Sequence, residues 1–201
     1  THYKKILADT ISPVSVYLKI RDKFPNSILL ESSDYHGNDN SFSYICCNPI
    51  ASIKVEDSLV TKTYPDHSSE TTTVPADKVT MEIDAFTKQF ETQKDTSFKF
   101  INNGMFGFTA YDAVKYFEDI TISKKDDSIE IPEMYYAVYQ NIIAINHFKN
   151  EAYIFAHCYE SESNIDAIHH LINVQSFSSY DFESKGNISS NLTDEEFKSN
   201  V

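Results

Sequence analysis

The clearest pattern along this chain is the helical spacing of apolar residues in two segments. Within 76–91, apolar side chains recur at Val79, Ile83, Phe86 and Phe90. Within 164–174, they recur at Ile165, Ile168, Leu171 and Ile172. This spacing places an apolar stripe along each segment, so both are predicted to be helices that pack on a core.

Shorter apolar and aromatic runs predict strands. They fall at 27–32, 42–47, 51–55, 59–63, 104–110, 135–147 and 152–159. A turn at Asn48 and Pro49 is expected to separate the second strand from the third. The last two strands are expected to form a hairpin. The polar stretch 65–73 has no periodicity and is predicted to be a loop.

Two further helix starts carry recognisable capping residues. Ser12 followed by Pro13 supplies a hydroxyl cap and a proline at the first helical position. Thr193 and Glu196 have the spacing of a capping box. Only about two turns remain before Val201, and an isolated helix of that length is marginal in water. The natural chain is therefore expected to continue beyond this residue.

Composition and charge exclude several classes of partner. Of the 201 residues, 41% are hydrophobic and 13% aromatic, which is enough for a sizeable core. The formal net charge of -13 argues against nucleic acids and anionic membranes, because both attract Lys and Arg patches. No apolar run approaches the ~20 residues that span a bilayer, and no signal peptide is recognisable. A soluble α+β protein of the reducing cytoplasm is the expected class.

The residue types that usually carry chemistry do not form a recognisable site. Three cysteines give no disulfide framework, and Cys46 and Cys47 are expected to point to opposite faces of a strand. The histidines lack zinc spacing. His147 and His157 are placed to approach each other across the predicted hairpin, but without a third ligand. Nucleophile elbows and phosphate-binding loops are absent, so no catalytic or metal-binding residue is assigned.

Four segments, in order, resemble the N-terminal part of anthranilate synthase component I. The opening, 7–10 (Leu-Ala-Asp-Thr) with 13–15 (Pro-Val-Ser), is followed by 29–32 (Leu-Leu-Glu-Ser). Residues 104–119 begin Gly-Met-Phe-Gly-Phe-Thr-Ala-Tyr-Asp and are similar to the family's Gly-x-Phe-Gly-Tyr-x-x-Tyr-Asp block. The phrase 194–197 (Asp-Glu-Glu-Phe) looks like the opening of the family's chorismate-binding region.

The resemblance implies an α+β fold with antiparallel strands in orthogonally packed sheets flanked by helices. It divides the chain into a regulatory domain over 1–175, a linker over 176–190 and the start of a chorismate-binding domain over 191–201. The implied full-length enzyme is a lyase of tryptophan biosynthesis that converts chorismate and ammonia to anthranilate and pyruvate. Its C-terminal part binds Mg²⁺, and a glutamine amidotransferase subunit, component II, supplies the ammonia. This chain alone is expected to be inactive.

The resemblance also implies part of an allosteric feedback site for tryptophan. Leu30, Glu31, Ser32 and Ser33 match a strand end that the family uses in this pocket. Tyr135 falls where the family places a side chain near the ligand. A zwitterionic amino acid needs polar groups at one end and apolar cover at the other. Glu31 and the hydroxyls would supply the polar groups, and Tyr135 would pack on the indole ring.

The segment 104–119, and the residues that follow the segment 29–32, carry further details that bear on structure and regulation. Gly104 and Gly107 are expected to permit close approach of another backbone. After the polar stretch that follows Leu-Leu-Glu-Ser, many family members have the sequence Arg-Tyr-Ser-Phe. In this chain, residues 41–44 read Ser-Phe-Ser-Tyr. Losing the arginine removes a cation that could hold a carboxylate or fix the loop, so the strength of tryptophan regulation stays open.

Two alternatives remain open at the level of sequence. The first is the same region of a sibling enzyme, aminodeoxychorismate synthase component I of the folate pathway, which can also hold a tryptophan. The Ala-Asp-Thr opening and the Leu-Leu-Glu-Ser segment favour the anthranilate enzyme. The second is a non-enzymatic module that binds a small ligand or a protein. A chorismate-binding region downstream would eliminate that second alternative.

Overall fold

Eight antiparallel strands and four α-helices make up the computed structural model, which describes residues 1–31, 41–91, 97–120, 122, 131–174, 181, 183–186 and 189–200. The strands are β1 (His2–Leu7), β2 (Ile28–Leu30), β3 (Phe42–Glu56), β4 (Leu59–Thr63), β5 (Ser69–Thr73), β6 (Met105–Thr109), β7 (Met134–Asn146) and β8 (Glu151–Ala156). The α-helices are α1 (Pro13–Arg21), α2 (Val79–Thr87), α3 (Ile165–Asn173) and α4 (Asp194–Ser199). Two 3-10 helices cover Ala76–Lys78 and Tyr111–Tyr116.

The two long strands β3 and β7 form the spine of the sheet. One half of the sheet has the order β1, β8, β7, β3, β2, and the other half has β6, β7, β3, β4, β5. The α+β class with antiparallel strands and flanking helices is therefore confirmed. Instead of two separate sheets, the described strands form one hydrogen-bonded sheet, whose two halves share β3 and β7. The crossing angle between the halves stays a prediction.

The predicted turn at Asn48 and Pro49 is wrong, because β3 runs through both residues. The register between β3 and β7 shifts between Pro49 and Ala51. Proline has no N–H to donate to a ladder and is tolerated where pairing is irregular. Asn48 adopts a positive φ of 60°, which Asn tolerates better than most residues. The irregularity allows one strand to serve both halves of the sheet.

The predicted loop at 65–73 is also wrong in its second part, because β5 occupies Ser69–Thr73. All five side chains of β5 are exposed, so the strand has no alternation of apolar and polar residues to detect. It pairs along its whole length with β4, where the hydroxyls of Thr61 and Thr71 lie 3.0 Å apart. Its three threonines are β-branched, which favours the extended backbone of an edge strand.

Most of the other predicted elements are confirmed with shifted ends. The hydroxyl of Ser12 accepts a hydrogen bond of 3.1 Å from the Ser15 N–H and caps α1. The hairpin of β7 and β8, the helix α3 and the cap of α4 by Thr193 are present as expected. The predicted helix at 76–91 is shorter, since it starts as a 3-10 turn and α2 ends at Thr87. The strand β1 was not predicted.

The half of the sheet that contains β1, β8 and β2 has two different faces. On the helix face, α1 and α3 bury Val16, Ile20 and Ile168 against β-branched side chains of β3, β7 and β8. On the aromatic face, rings from the strands pack with Phe98 and Phe100. Cys46 belongs to the aromatic face and Cys47 to the helix face, and both are fully buried. Their predicted opposite orientation is confirmed.

The other half of the sheet is covered by α2 and the second 3-10 helix. Phe86 of α2 and Ala113 of the 3-10 helix are fully buried against Ile53, Val55 and Met134 of the sheet. Among the residues that the structure describes, none belongs to a helix with both the length and the apolar character needed to cross a membrane.

Candidate functional site

Two residues of the predicted tryptophan site, Leu30 and Glu31, lie at the C-terminal end of β2. Leu30 is the last paired residue of β2, opposite Tyr44 of β3, and is 37% exposed. Glu31 follows it and is exposed. Ser32 and Ser33 lie outside the described residues. The acidic residue of the predicted site therefore follows the end of the strand directly and is accessible from solvent.

Glu31 lies close enough to act electrostatically on His147, a partly buried residue that is hydrogen-bonded to the buried Ser43. Leu30 pairs with Tyr44 on the aromatic face, and Glu31 is the first residue after the paired part of β2. Ser43 is fully buried, and its hydroxyl oxygen lies 2.7 Å from Nε2 of His147. Burial lowers the pKa of His147, and the charge of Glu31 opposes this shift. The strand end thus combines a carboxylate, a hydroxyl and an imidazole.

Tyr135 lies at the opposite end of the sheet, and its predicted place in the same pocket needs correction. Leu30 of β2 pairs with Tyr44 of β3, and Tyr44 pairs with Ala144 of β7. Along β7, Ala144 is nine residues away from Tyr135. At about 3.3 Å per residue, this separation is roughly 30 Å along the strand. The Tyr135 ring lies 6.4 Å from that of Phe108. A single amino-acid ligand is too small to contact both Glu31 and Tyr135.

The two histidines of the hairpin do not meet either. The register pairs Asn146 with Glu151 and Asn141 with Ala156, so His147 follows one end of the hairpin and His157 the other. His157 donates from Nε2 to the Asn102 carbonyl at 2.8 Å, and its Nδ1 lies 2.9 Å from the Thr1 hydroxyl. Each ring has its own partners, and the predicted approach is wrong.

A second polar cluster lies at the far end of the sheet and is structural. The Glu133 carboxylate accepts hydrogen bonds from the Lys115 ammonium and the Tyr116 hydroxyl, and from the Asp57 N–H at 3.2 Å. The Tyr116 oxygen in turn accepts from the Ser58 N–H at 3.0 Å. Burial, followed by the bond to Glu133, raises the pKa of Tyr116. These bonds engage both carboxylate oxygens and fix the 3-10 helix to the turn between β3 and β4.

The residues that the structure describes do not fit a Mg²⁺ site. Within this part of the chain, no group of three or more His, Cys, Asp or Glu side chains is arranged to hold a metal ion. Oxygen ligands from several carboxylates would be needed for Mg²⁺. No metal-dependent step is therefore assigned to these residues.

Sequence reasoning missed the contribution of Ser43 and His147. The two residues are 104 positions apart and meet only because β3 pairs with β7. His147 stands in no motif, Ser43 was considered only as part of the segment 41–44, and the register of a long strand pair is not readable from spacing alone. The one available signal was the location of His147 at the end of a strand predicted to be long.

Comparison with known proteins identifies the chain's relatives. The chain is 31% identical over 152 residues to anthranilate synthase component 1 of Lactococcus lactis, which covers 76% of this chain and 31% of that protein. It is 28% identical over 153 residues to the protein of that name from Thermus thermophilus, with 76% and 31% covered. It is 25% identical over 154 residues to aminodeoxychorismate synthase component 1 of Bacillus subtilis, with 77% and 31% covered. The chain thus spans about a third of the length of these relatives.

A solved structure and a family match complete the comparison. Anthranilate synthase component I from Streptococcus pneumoniae aligns with a TM-score of 0.45 and 22% identity, over 86% of this chain and 36% of that chain. The sequence pattern described as chorismate binding enzyme matches residues 26–201, which is most of the chain. This protein therefore belongs to the chorismate-binding enzyme family.

Proposed function

We propose that this chain is the N-terminal, regulatory part of an anthranilate synthase component I. Family membership and the relatives that carry this name support the proposal. The relatives are about three times as long as the matched region, so a complete enzyme would have most of its residues outside this chain. In this proposal, 1–175 form the regulatory domain, 176–190 a linker and 191–201 the start of the chorismate-binding domain.

The complete enzyme would convert chorismate and ammonia to anthranilate and pyruvate in the cytoplasm. A glutamine amidotransferase subunit, component II, would supply the ammonia. Mg²⁺ and the catalytic residues would belong to the C-terminal part of that enzyme. This chain by itself would then bind neither chorismate nor Mg²⁺ productively and would be inactive.

The observation that carries the regulatory role is the exposed position of Glu31 directly after the last paired residue of β2. A carboxylate at a strand end can accept hydrogen bonds from the ammonium group of an amino acid, as charge-assisted bonds that are stronger than neutral ones. Leu30 is the last residue of β2, and Ser32 and Ser33 follow Glu31 in the sequence; the proposed tryptophan site includes all three. Tyr135 is left out, because the register separates it from Glu31.

Calorimetric titration with tryptophan tests this site. The full-length enzyme is expected to bind tryptophan, and this chain alone is expected to bind it weakly or not at all, because the site would be shared. In the full-length enzyme, Glu31→Ala is expected to weaken binding by roughly tenfold or more, since a hydrogen bond to a charged group contributes about 1.5–3 kcal/mol.

Glu118→Ala is the matched control for this experiment. Glu118 is another exposed glutamate, and its substitution removes the same charge away from β2. It is expected to leave tryptophan binding unchanged. Equal affinities of the Glu31→Ala and Glu118→Ala enzymes would show that the carboxylate at the strand end does not contact the inhibitor.

The alternative enzyme is an aminodeoxychorismate synthase component I, and the relative from Bacillus subtilis supports it. The product distinguishes the two enzymes. With chorismate and ammonia, the anthranilate enzyme is expected to release pyruvate together with a fluorescent aromatic product. The alternative enzyme would accumulate a non-aromatic amino product and release no pyruvate. A binding module without turnover is disfavoured by membership of an enzyme family.

A further inference from the structure

The aromatic face of the sheet contains a cavity of about 410 Å³ that the proposed function does not use. Its aromatic wall consists of Phe42, Phe98, Phe100 and Tyr153. The rings of Phe42 and Phe100 are stacked at 4.7 Å, and those of Phe100 and Tyr153 lie 5.1 Å apart. Small-molecule sites are typically cavities of roughly 300–1,000 Å³ that combine apolar and aromatic side chains with a few polar groups.

The polar groups of this cavity carry more positive than negative charge. Lys99 and Lys149 line it, and neither ammonium group forms an ion pair with any residue in the described ranges. The lining carboxylate, Glu151, is already paired with the Lys5 ammonium at 2.6 Å and accepts from the Tyr153 hydroxyl at 2.9 Å. Lys149 attracts the Glu151 carboxylate only as a more distant charge, so the cavity has two ammonium groups for one carboxylate that is already bonded to Lys5.

We propose that this cavity is a binding site for a small planar aromatic carboxylate. The ring of such a ligand would pack on the wall formed by Phe42 and Phe100, where aromatic pairs gain from offset or edge contacts. Its carboxylate would lie between Lys99 and Lys149, whose ammonium groups form no ion pair within 4 Å among the described residues. An inorganic anion would leave the aromatic wall unused, and a neutral ring would leave the charges of the two lysines unused.

This site is separate from the strand end of the proposed function. Among the described residues, those that line the cavity do not include Leu30 or Glu31. Binding of an aromatic carboxylate in the cavity therefore does not require the side chains that carry the proposed tryptophan site. The two proposals can succeed or fail independently.

Benzoate is the probe for this site, measured with this chain by calorimetry and by saturation-transfer NMR. Benzoate is expected to bind, whereas benzyl alcohol, which keeps the ring, and acetate, which keeps the charge, are expected to bind much more weakly. In the double variant Lys99→Gln/Lys149→Gln, the affinity for benzoate is expected to fall about five- to tenfold, because an exposed ion pair contributes about two- to fivefold. Both lysines are exposed, so the variant is expected to fold.

Two matched variants decide between specific and unspecific binding. Lys23→Gln/Lys198→Gln removes two other exposed lysines outside the cavity and is expected to leave benzoate affinity unchanged. Glu31→Ala is likewise expected to leave it unchanged. The proposal is overturned if the control pair weakens benzoate as much as the cavity pair, if benzyl alcohol or acetate binds as tightly, or if Glu31→Ala abolishes benzoate binding. The last result would show that benzoate binding depends on Glu31, so that the cavity and the strand end form one site.

Discussion

At the scale of single residues, Gly107 is the position where the fold tolerates no side chain. An ideal Cβ built on this residue would lie 1.8 Å from the Tyr135 carbonyl oxygen and 2.7 Å from the Tyr136 Cα. Both contacts are with the backbone of β7, which pairs directly with β6 and cannot rotate away. The predicted close approach is confirmed here. At Gly104 it is wrong, because nothing lies within 4 Å and only a φ of 127° requires glycine.

Gly107→Ala is expected to lower the free energy of unfolding by about 3 kcal/mol or more, because the added methyl group must displace β6 from β7. Urea denaturation followed by circular dichroism measures this change. Gly104→Ala is the comparison, since it tests backbone strain without overlap. Its expected cost is roughly 1–2 kcal/mol. A smaller loss for Gly107→Ala than for Gly104→Ala would contradict the contact geometry.

At the scale of elements, the sequence predicted those whose signal is local and failed where the signal depends on partners. The cap at Ser12, the stripe of α3 and the hairpin of β7 and β8 are local features, and they are confirmed. The exposed strand β5 has no apolar alternation, and it forms because β4 provides hydrogen-bond partners. The turn expected at Pro49 is an irregularity within β3, because pairing with β7 continues on both sides of it.

Capping should affect stability only where the helix packs on the core. Both α1 and α4 begin with a capping box, but α1 buries Val16 and Ile20 whereas α4 buries no residue. Ser12→Ala is expected to lower the free energy of unfolding by about 1 kcal/mol. Thr193→Ala removes the same kind of cap and is expected to leave global unfolding unchanged. Urea titrations of the two variants measure both effects, and equal losses would show that α4 unfolds together with the sheet.

At the scale of the whole molecule, β3 and β7 set which residues share a site. Their pairing brings Ser43 to His147 and keeps Tyr135 away from Glu31. The sequence could indicate Glu31 only through family resemblance, because a strand end with an acidic residue is common. It could not indicate the serine–histidine pair or the aromatic cavity, since both assemble from strands whose mutual register is invisible in the chain. For the same reason it could not indicate that Tyr135 and Glu31 lie at opposite ends of the pair formed by β3 and β7.

At the same scale, part of the acid response follows from His147 and His157, two partly buried histidines from opposite ends of the hairpin of β7 and β8. Burial lowers the pKa of both below the ordinary value of 6.5. As the pH falls, the unfolded chain therefore binds protons at these histidines before the folded chain does. The stability linked to them is fully present above about pH 6.5 and is lost as the pH falls through the pKa values of the folded state. The free energy of unfolding in urea is therefore expected to fall between about pH 7.5 and about pH 5. His157→Gln is expected to reduce this fall, since glutamine can still donate to the Asn102 carbonyl but does not titrate. His2→Gln, at an exposed position of β1, is expected to retain the full fall, and equal falls in all three proteins would contradict the role of His157.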